Sequence, residues 1–142
     1  MKKFIFTFIV SLVLIFSFQT NMGLAKQPTE DSEELRLQDM LMNLLTPYIT
    51  EVLDHYYRPK ILKTFSPEIT PWKIEVIETK RINGFRGFKL EITFEIEPTA
   101  GHHVPVGKDR LTYRISYGPS VELTNHTHLA TYQLPPELHT PN

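Results

Sequence analysis

The sequence predicts an α+β domain, an N-terminal amphipathic helix packed on one face of a four-stranded antiparallel meander. Three observations predict it. Apolar residues recur at three- and four-residue steps from Leu37 to Tyr56, the stripe of an amphipathic helix. From Trp72 onward the period changes to two. Between the first two alternating runs stands Asn83-Gly84, the strongest short hairpin signal.

The elements follow in order. Lys2 and Lys3 precede an apolar run from Phe4 to Phe18, then Gln19-Thr20-Asn21, then Gly23-Leu24-Ala25 with small residues where a signal peptidase reads. That layout predicts a secretory signal peptide over residues 1–25. A 15-residue helix rises only about 22 Å, short of the ~30 Å hydrocarbon core. An uncleaved N-terminal anchor is the alternative, and with no cysteine after the run a lipoprotein anchor is excluded. Residues 26–31 read as a flexible leader, 32–132 as a single α+β domain and 133–142 as a loose C-terminal tail.

The helix opens with Asp31 or Ser32 as cap and Glu33 and Glu34 in its first turn, where the dipole favours negative charge. Its stripe is Leu37, Leu41, Leu44, Leu45, Tyr48, Val52, Leu53 and Tyr56. Pro47 interrupts it. Either Thr46 caps a second helix that starts at Pro47, or one helix bends there. Pro59 is expected to end the pattern, and 59–71 to be a connector with one short turn around Lys60–Phe65.

Trp72, Ile74 and Val76 alternate with Lys73 and Glu75 as a first strand. In the second, Phe88, Leu90, Ile92, Phe94 and Ile96 point one way, while Lys89, Glu91, Thr93, Glu95 and Glu97 point the other. A long loop, Pro98 to Lys108, leads to a third run. There Leu111, Tyr113, Ile115 and Tyr117 oppose Arg110, Thr112, Arg114 and Ser116. Antiparallel pairing of the apolar rows sets Phe94 by Leu111 and Ile92 by Tyr113, with Glu91 by Arg114 and Glu95 by Arg110 on the open face. Gly118-Pro119 turns into a fourth strand, Val121 to about Leu129. A cystatin-like or nuclear-transport-factor-like roll has this element order, an analogy that carries no activity.

Composition narrows the functions. The 142 residues hold no cysteine, which excludes a disulfide scaffold, a thiol nucleophile and a Cys-ligated metal. Fifteen basic residues against 16 acidic ones argue against nucleic-acid binding. Loss of residues 1–25 removes two lysines and leaves a net charge of −3 over 117 residues, which favours solubility over anionic membrane surfaces.

Histidines are the first candidates for chemistry. His126 and His128 form a His-x-His pair on one strand face, workable spacing for zinc or copper, with His102 or His103 of the long loop as further ligands and Asp109 as an added carboxyl. Strict alternation places His126 and His128 with Glu122 and Thr124, opposite Val121 and Leu123. The bland alternative is solvated polar-face histidines. Tyr56 and Tyr57, at the helix end, are candidates to line a ligand pocket under the sheet, or are core residues with their hydroxyls at the rim. Glu91, Glu95 and Glu97 read as a salt-bridged face rather than an acid–base pair. Asn125-His126-Thr127 fits N-glycosylation only in a eukaryotic secretory pathway. There is no phosphate-binding glycine loop, Gly-x-Ser-x-Gly elbow or His-Glu-x-x-His.

Several stretches together resemble domain-of-unknown-function family 3888, small exported bacterial proteins without an assigned activity. They are Ser32-Glu33-Glu34-Leu35-Arg36-Leu37-Gln38-Asp39, Leu44-Leu45-Thr46-Pro47-Tyr48-Ile49, Tyr56-Tyr57, and Thr93-Phe94-Glu95 through Gly107-Lys108-Asp109. Of the family's loop only His103, Pro105 and Gly107 carry over, and its final His falls at His126 or His128. The resemblance covers roughly 32–128 and implies export and a single domain.

The expectation is therefore a secreted or envelope-exterior, non-enzymatic domain without stable membrane insertion. Its partner would be a protein or small ligand met through Tyr56, Tyr57, His103 and Asp109. The alternatives are a histidine-based metal-binding protein and a small hydrolase with an unrecognised site.

Overall fold

The computed structural model describes residues 30–138, apart from Thr64, His102 and Pro119. The expected signal peptide, most of the leader and residues 139–142 lie outside the described residues.

Helix α1 runs from Glu33 to Tyr57. Ser32 caps it, its Oγ accepting from the Leu35 N–H at 3.1 Å, and Glu33 and Glu34 meet the positive end of the dipole. One helix passes through Pro47. Thr46 Oγ1 donates back to the Met42 carbonyl at 2.8 Å instead of capping a new helix, and Thr50 Oγ1 donates to the Thr46 carbonyl. The missing proline N–H leaves the Asn43 carbonyl without its ladder partner. Asn43, Leu44 and Pro47 are all exposed, so that carbonyl lies on the solvent side of the helix.

Met42, Leu45, Ile49, Leu53 and Tyr57 are the buried positions of α1. Leu41, Val52 and Tyr56 flank them half-buried, while Leu37, Leu44 (72% exposed) and Tyr48 stay out. The expected stripe therefore spans two faces. Adjacent residues such as Leu44 and Leu45 are 100° apart on the helix, and the sheet covers only the arc centred on Leu45. Pro59 does not stop the helical path either. Arg58–Leu62 makes one π-helical turn with Pro59 near its start, where no N–H is needed, and Leu62 is buried.

The sheet has the order β1-β2-β5-β6, antiparallel throughout: β1 Glu75–Arg81, β2 Lys89–Ile96, β5 Gly107–Ser116 and β6 Ser120–Thr131. Within the expected long loop, β3 Thr99–Ala100 and β4 Val104–Pro105 form a small separate hairpin. Trp72 lies outside β1, in a 3-10 turn at Pro71–Lys73, and is 78% exposed. Phe88 belongs to the β1–β2 loop rather than to β2, and faces solvent. Both corrections have one cause. Alternation continues past the last ladder bond, but an aromatic beyond the sheet has nothing to cover it.

β2 and β5 pair as their patterns require: Phe94 opposite Leu111, Ile92 opposite Tyr113, Glu91 opposite Arg114, Glu95 opposite Arg110. On the helix side Ile92, Phe94, Ile96, Leu111 and Tyr113 join the buried row of α1 in one core. Tyr113 Oη donates to the Tyr48 carbonyl at 3.0 Å. On the other side Glu91 accepts from Arg114 (2.8 Å) and Lys80 (3.1 Å), and Glu95 from Lys108 (2.6 Å) and Arg110. The hydrogen bonds from Arg114, then Lys80, hold the Glu91 carboxyl below its usual range, and those from Lys108, then Arg110, do the same for Glu95. After β6 the chain stays attached, with Leu134 buried, a 3-10 turn at Pro136–Leu138 and Leu138 against the core. The stretch expected to be loose from residue 133 is thus anchored as far as Leu138.

Candidate functional site

The site begins with a break in alternation. Between the pairs Thr112–Asn125 and Tyr113–Leu123, Thr124 is an extra residue, a β-bulge whose hydroxyl donates to the Thr112 carbonyl at 3.1 Å. A second bulge at Leu129 separates the pairs Asp109–His128 and Lys108–Ala130. The first bulge returns His126 and His128 to the face of Leu123. They therefore lie on the helix side of the sheet, opposite Leu111 and Asp109, and not with Glu122 as strict alternation requires.

Asp109 sits on that side too, in the row of Leu111 and Tyr113, with no exposed surface. Its carboxyl is satisfied by three side chains. Tyr57 Oη, from the last residue of α1, donates to Oδ2. His126 Nε2 and His128 Nδ1 donate to Oδ1 at 2.8 and 3.0 Å. These bonds select the tautomers. In neutral His128 the Nδ1 proton leaves Nε2 to accept from Thr131 Oγ1 at 2.7 Å. In His126 the Nε2 proton leaves Nδ1 as an acceptor with no partner among the described residues. Burial, reinforced by the Asp109 hydrogen bond, raises the Tyr57 phenol far above its ordinary range, so it stays a donor.

Tyr56 covers the cluster. Its ring lies 4.8 Å from that of His128 and 5.2 Å from that of His126, with Lys60 Nζ 3.9 Å above its centre. Gly107 closes the far side: a Cβ there would collide with Tyr57 Oη and the Ala130 carbonyl. Beside the cluster an open groove of about 470 Å³ separates α1 from β6. Val52, Tyr56, Pro59 and Leu123 supply its apolar wall, and Glu51, His55, Lys60 and His126 its polar groups.

The structure thus gathers Tyr56, Tyr57, Asp109, His126 and His128. It leaves His103 apart, exposed at the turn of the β3–β4 hairpin with φ of 62°, and no hydrogen bond, ion pair or ring contact joins it to the cluster among the described residues. His102 lies outside the described residues. Among those described, no group of three or more His, Asp or Glu side chains is arranged to hold a metal ion. The two ring nitrogens facing Asp109 carry the protons of its hydrogen bonds.

The family model described as "Protein of unknown function (DUF3888)" matches residues 37–130, about two thirds of the chain. The chain belongs to that family. No curated protein and no solved structure matches it. The part of the DUF3888 domain that matches runs from the second turn of α1 to one residue short of Thr131, so it contains Tyr56, Tyr57, Gly107, Asp109, His126 and His128. Thr131, Lys60, Val52 and Leu123 enter the site unannounced by sequence. Leu123 comes beside His126 through the Thr124 bulge, and a bulge of ordinary residues leaves no mark in a polarity pattern; Val52 and Lys60 come from α1 and the π-helical turn, where nothing in the spacing sets them apart from their neighbours.

Proposed function

We propose that this DUF3888 domain is an exported, non-enzymatic binding domain whose groove between α1 and β6 takes a small, largely apolar ligand with a polar head. One observation carries the reading. An apolar wall of Val52, Tyr56, Pro59 and Leu123 stands next to an imidazole that buried Asp109 holds in one tautomer, with the Lys60 ammonium free of ion pairs among the described residues. Ligand sites combine apolar walls with a few fixed polar groups in this way. The apolar body would lie on Val52 and Leu123, a donor would meet His126 Nδ1, and an anionic head would meet Lys60. An amphipathic helix laid across a meander, as in cystatin-like and nuclear-transport-factor-like rolls, suits the role because its free edge leaves such a groove. The signal-peptide pattern at 1–25 supports an activity in the envelope or outside the cell.

Anilinonaphthalene sulfonate, apolar with one anionic group, is the test probe. Saturable one-to-one binding to the native protein is expected, abolished by Leu123→Trp, which fills the groove, and weakened by Lys60→Gln. No saturable binding, or binding indifferent to Leu123→Trp, refutes the proposal.

A second reading takes the histidines as zinc or copper ligands, favoured by the convergence of His126 Nε2 and His128 Nδ1 on one carboxyl oxygen. They would bind as a pair, the metal taking the place of the two ring protons that face Asp109. Heat released on zinc titration and lost in His128→Ala would support it; a flat titration would end it.

A further inference from the structure

The β1–β2 loop, residues 82–88, takes no part in the groove. Its apolar side chains face solvent: Phe85 is 96% exposed and Phe88 65%, with Ile82 beside them, and Tyr117 of the β5–β6 turn is 91% exposed. Antiparallel order brings both connections to one end of the sheet, since Arg81 pairs with Leu90, Lys89 with Ser116 and Ser116 with Ser120.

The loop is held in shape. Arg81 Nη1 donates to the Gly87 carbonyl at 2.6 Å, the Gly87 N–H to the Gly84 carbonyl at 3.1 Å, and the Ile82 N–H to the Lys89 carbonyl at 2.9 Å. Gly84 occupies a left-handed conformation at φ 81°, as the Asn-Gly pair anticipates. The phenylalanines are therefore presented by a closed, hydrogen-bonded loop.

Charge says what they meet. From residue 79 to residue 90 there is no acid, while Lys80, Arg81, Arg86 and Lys89 are basic. Lys80 pairs with Glu91; Arg81, Arg86 and Lys89 have no ion pair among the described residues. A chain that is net negative after residue 25 thus carries a local charge of +3 behind two exposed aromatic rings.

We propose that this end of the sheet docks on an anionic lipid surface, with Phe85 and Phe88 entering the interface and Arg81, Arg86 and Lys89 meeting the headgroup phosphates. An anionic bilayer has the complementary order, a negative layer directly over an apolar one. Single-stranded nucleic acid is the poorer fit, because it needs aromatic platforms along a basic groove rather than rings at a projecting tip. The contact is peripheral. No helix among the described residues is long and apolar enough to cross a membrane.

The test moves the one tryptophan to the tip. Trp72 precedes β1, at the end of that strand away from the loop, and Trp72→Phe with Phe85→Trp makes the full chain report on the tip itself. Vesicles of phosphatidylglycerol and phosphatidylcholine in equal parts are expected to shift its emission to the blue. Phosphatidylcholine alone should not. In the otherwise unaltered chain, Phe85→Ser with Phe88→Ser should weaken co-sedimentation with the mixed vesicles roughly tenfold or more. Arg86→Gln and Lys89→Gln should each weaken it about fivefold at low salt. Urea midpoints should not move, since these side chains touch little. An emission maximum unmoved by anionic vesicles overturns the proposal, as does full binding by the double serine variant, or tighter binding to single-stranded DNA than to the vesicles.

Discussion

Two carboxyl clusters lie on opposite faces of the same sheet, Glu91 and Glu95 on β2 and Asp109 on β5. On the open face Glu91 and Glu95 are clasped by Arg114, Lys80, Lys108 and Arg110; on the helix side Asp109 is clasped by Tyr57, His126 and His128. Each has its acceptors filled, yet their surroundings differ. The open-face carboxyls are covered by their own long partners, leaving Glu91 and Glu95 side chains 10% and 12% exposed, but those partners are themselves 32–49% exposed, and ion pairs made by such solvated side chains are worth little. Asp109 has no exposed surface, so each donor aimed at it would lose its only partner if it were removed. The same residue chemistry is thus a surface decoration on one face and a structural keystone on the other.

The largest predicted effect tests that contrast directly. Asp109→Ala leaves the buried Tyr57 phenol and two imidazole N–H groups at the partly exposed edge of the core without their acceptor, and is expected to cost about 3–5 kcal/mol, read by urea denaturation; a loss no greater than that of Arg110→Ala would erase the distinction. Gly107→Ala should come next, at about 1–3 kcal/mol, because the new methyl overpacks the space of Tyr57 Oη. Deleting Thr124 sharpens the point. Removing the extra residue straightens β6 while Leu123 and His126 both keep facing the helix, so the loss should be only about 1 kcal/mol, one hydrogen bond, with probe binding retained. Arg110→Ala should lie lowest, at or below about 1 kcal/mol and smaller still in high salt.

Titration separates the faces without mutation. Glu91 and Glu95 are held below their ordinary value of 4.5, so their stabilisation is complete above it and is lost as pH falls through and below 4.5. Tyr57 and Tyr113 are raised above 10, so the unfolded chain releases those protons first and stability falls as pH climbs past 10. Urea midpoints at pH 6, 3.5 and 10.5 check both signs, and Glu95→Gln should flatten the acid limb alone.

The two clusters were also unequally legible. Glu91 opposite Arg114 and Glu95 opposite Arg110 follow from polarity alone, because two long strands of strict period two admit one register that buries Phe94 and Leu111 together. A helix start at Asp31 or Ser32 and the Asn83-Gly84 turn were also plain, being local chemistry, and the Leu35 N–H decides the cap for Ser32. The Asp109 cluster was half legible. Its residues stand out as types, but the face of His126 depends on the Thr124 bulge, a backbone event that no side chain specifies. Sequence pattern likewise places Phe88, Trp72 and Leu44 in the core, since periodicity reports which side chains are apolar and not how far the covering layer extends.

Tyr113 grips the helix backbone at Tyr48, in the C-terminal half of α1, and Tyr57, its last residue, grips Asp109 on β5. The two attachments are nine residues apart, about 13.5 Å along the axis. Apolar contact is non-directional and would let a cylinder roll or slide on the sheet. Two directional pins at that separation arrest both motions, so α1 behaves as a beam bolted at two points. A chain without a single cysteine thereby acquires a fixed spacing between helix and sheet edge, and the mouth of the groove inherits its width from that joint.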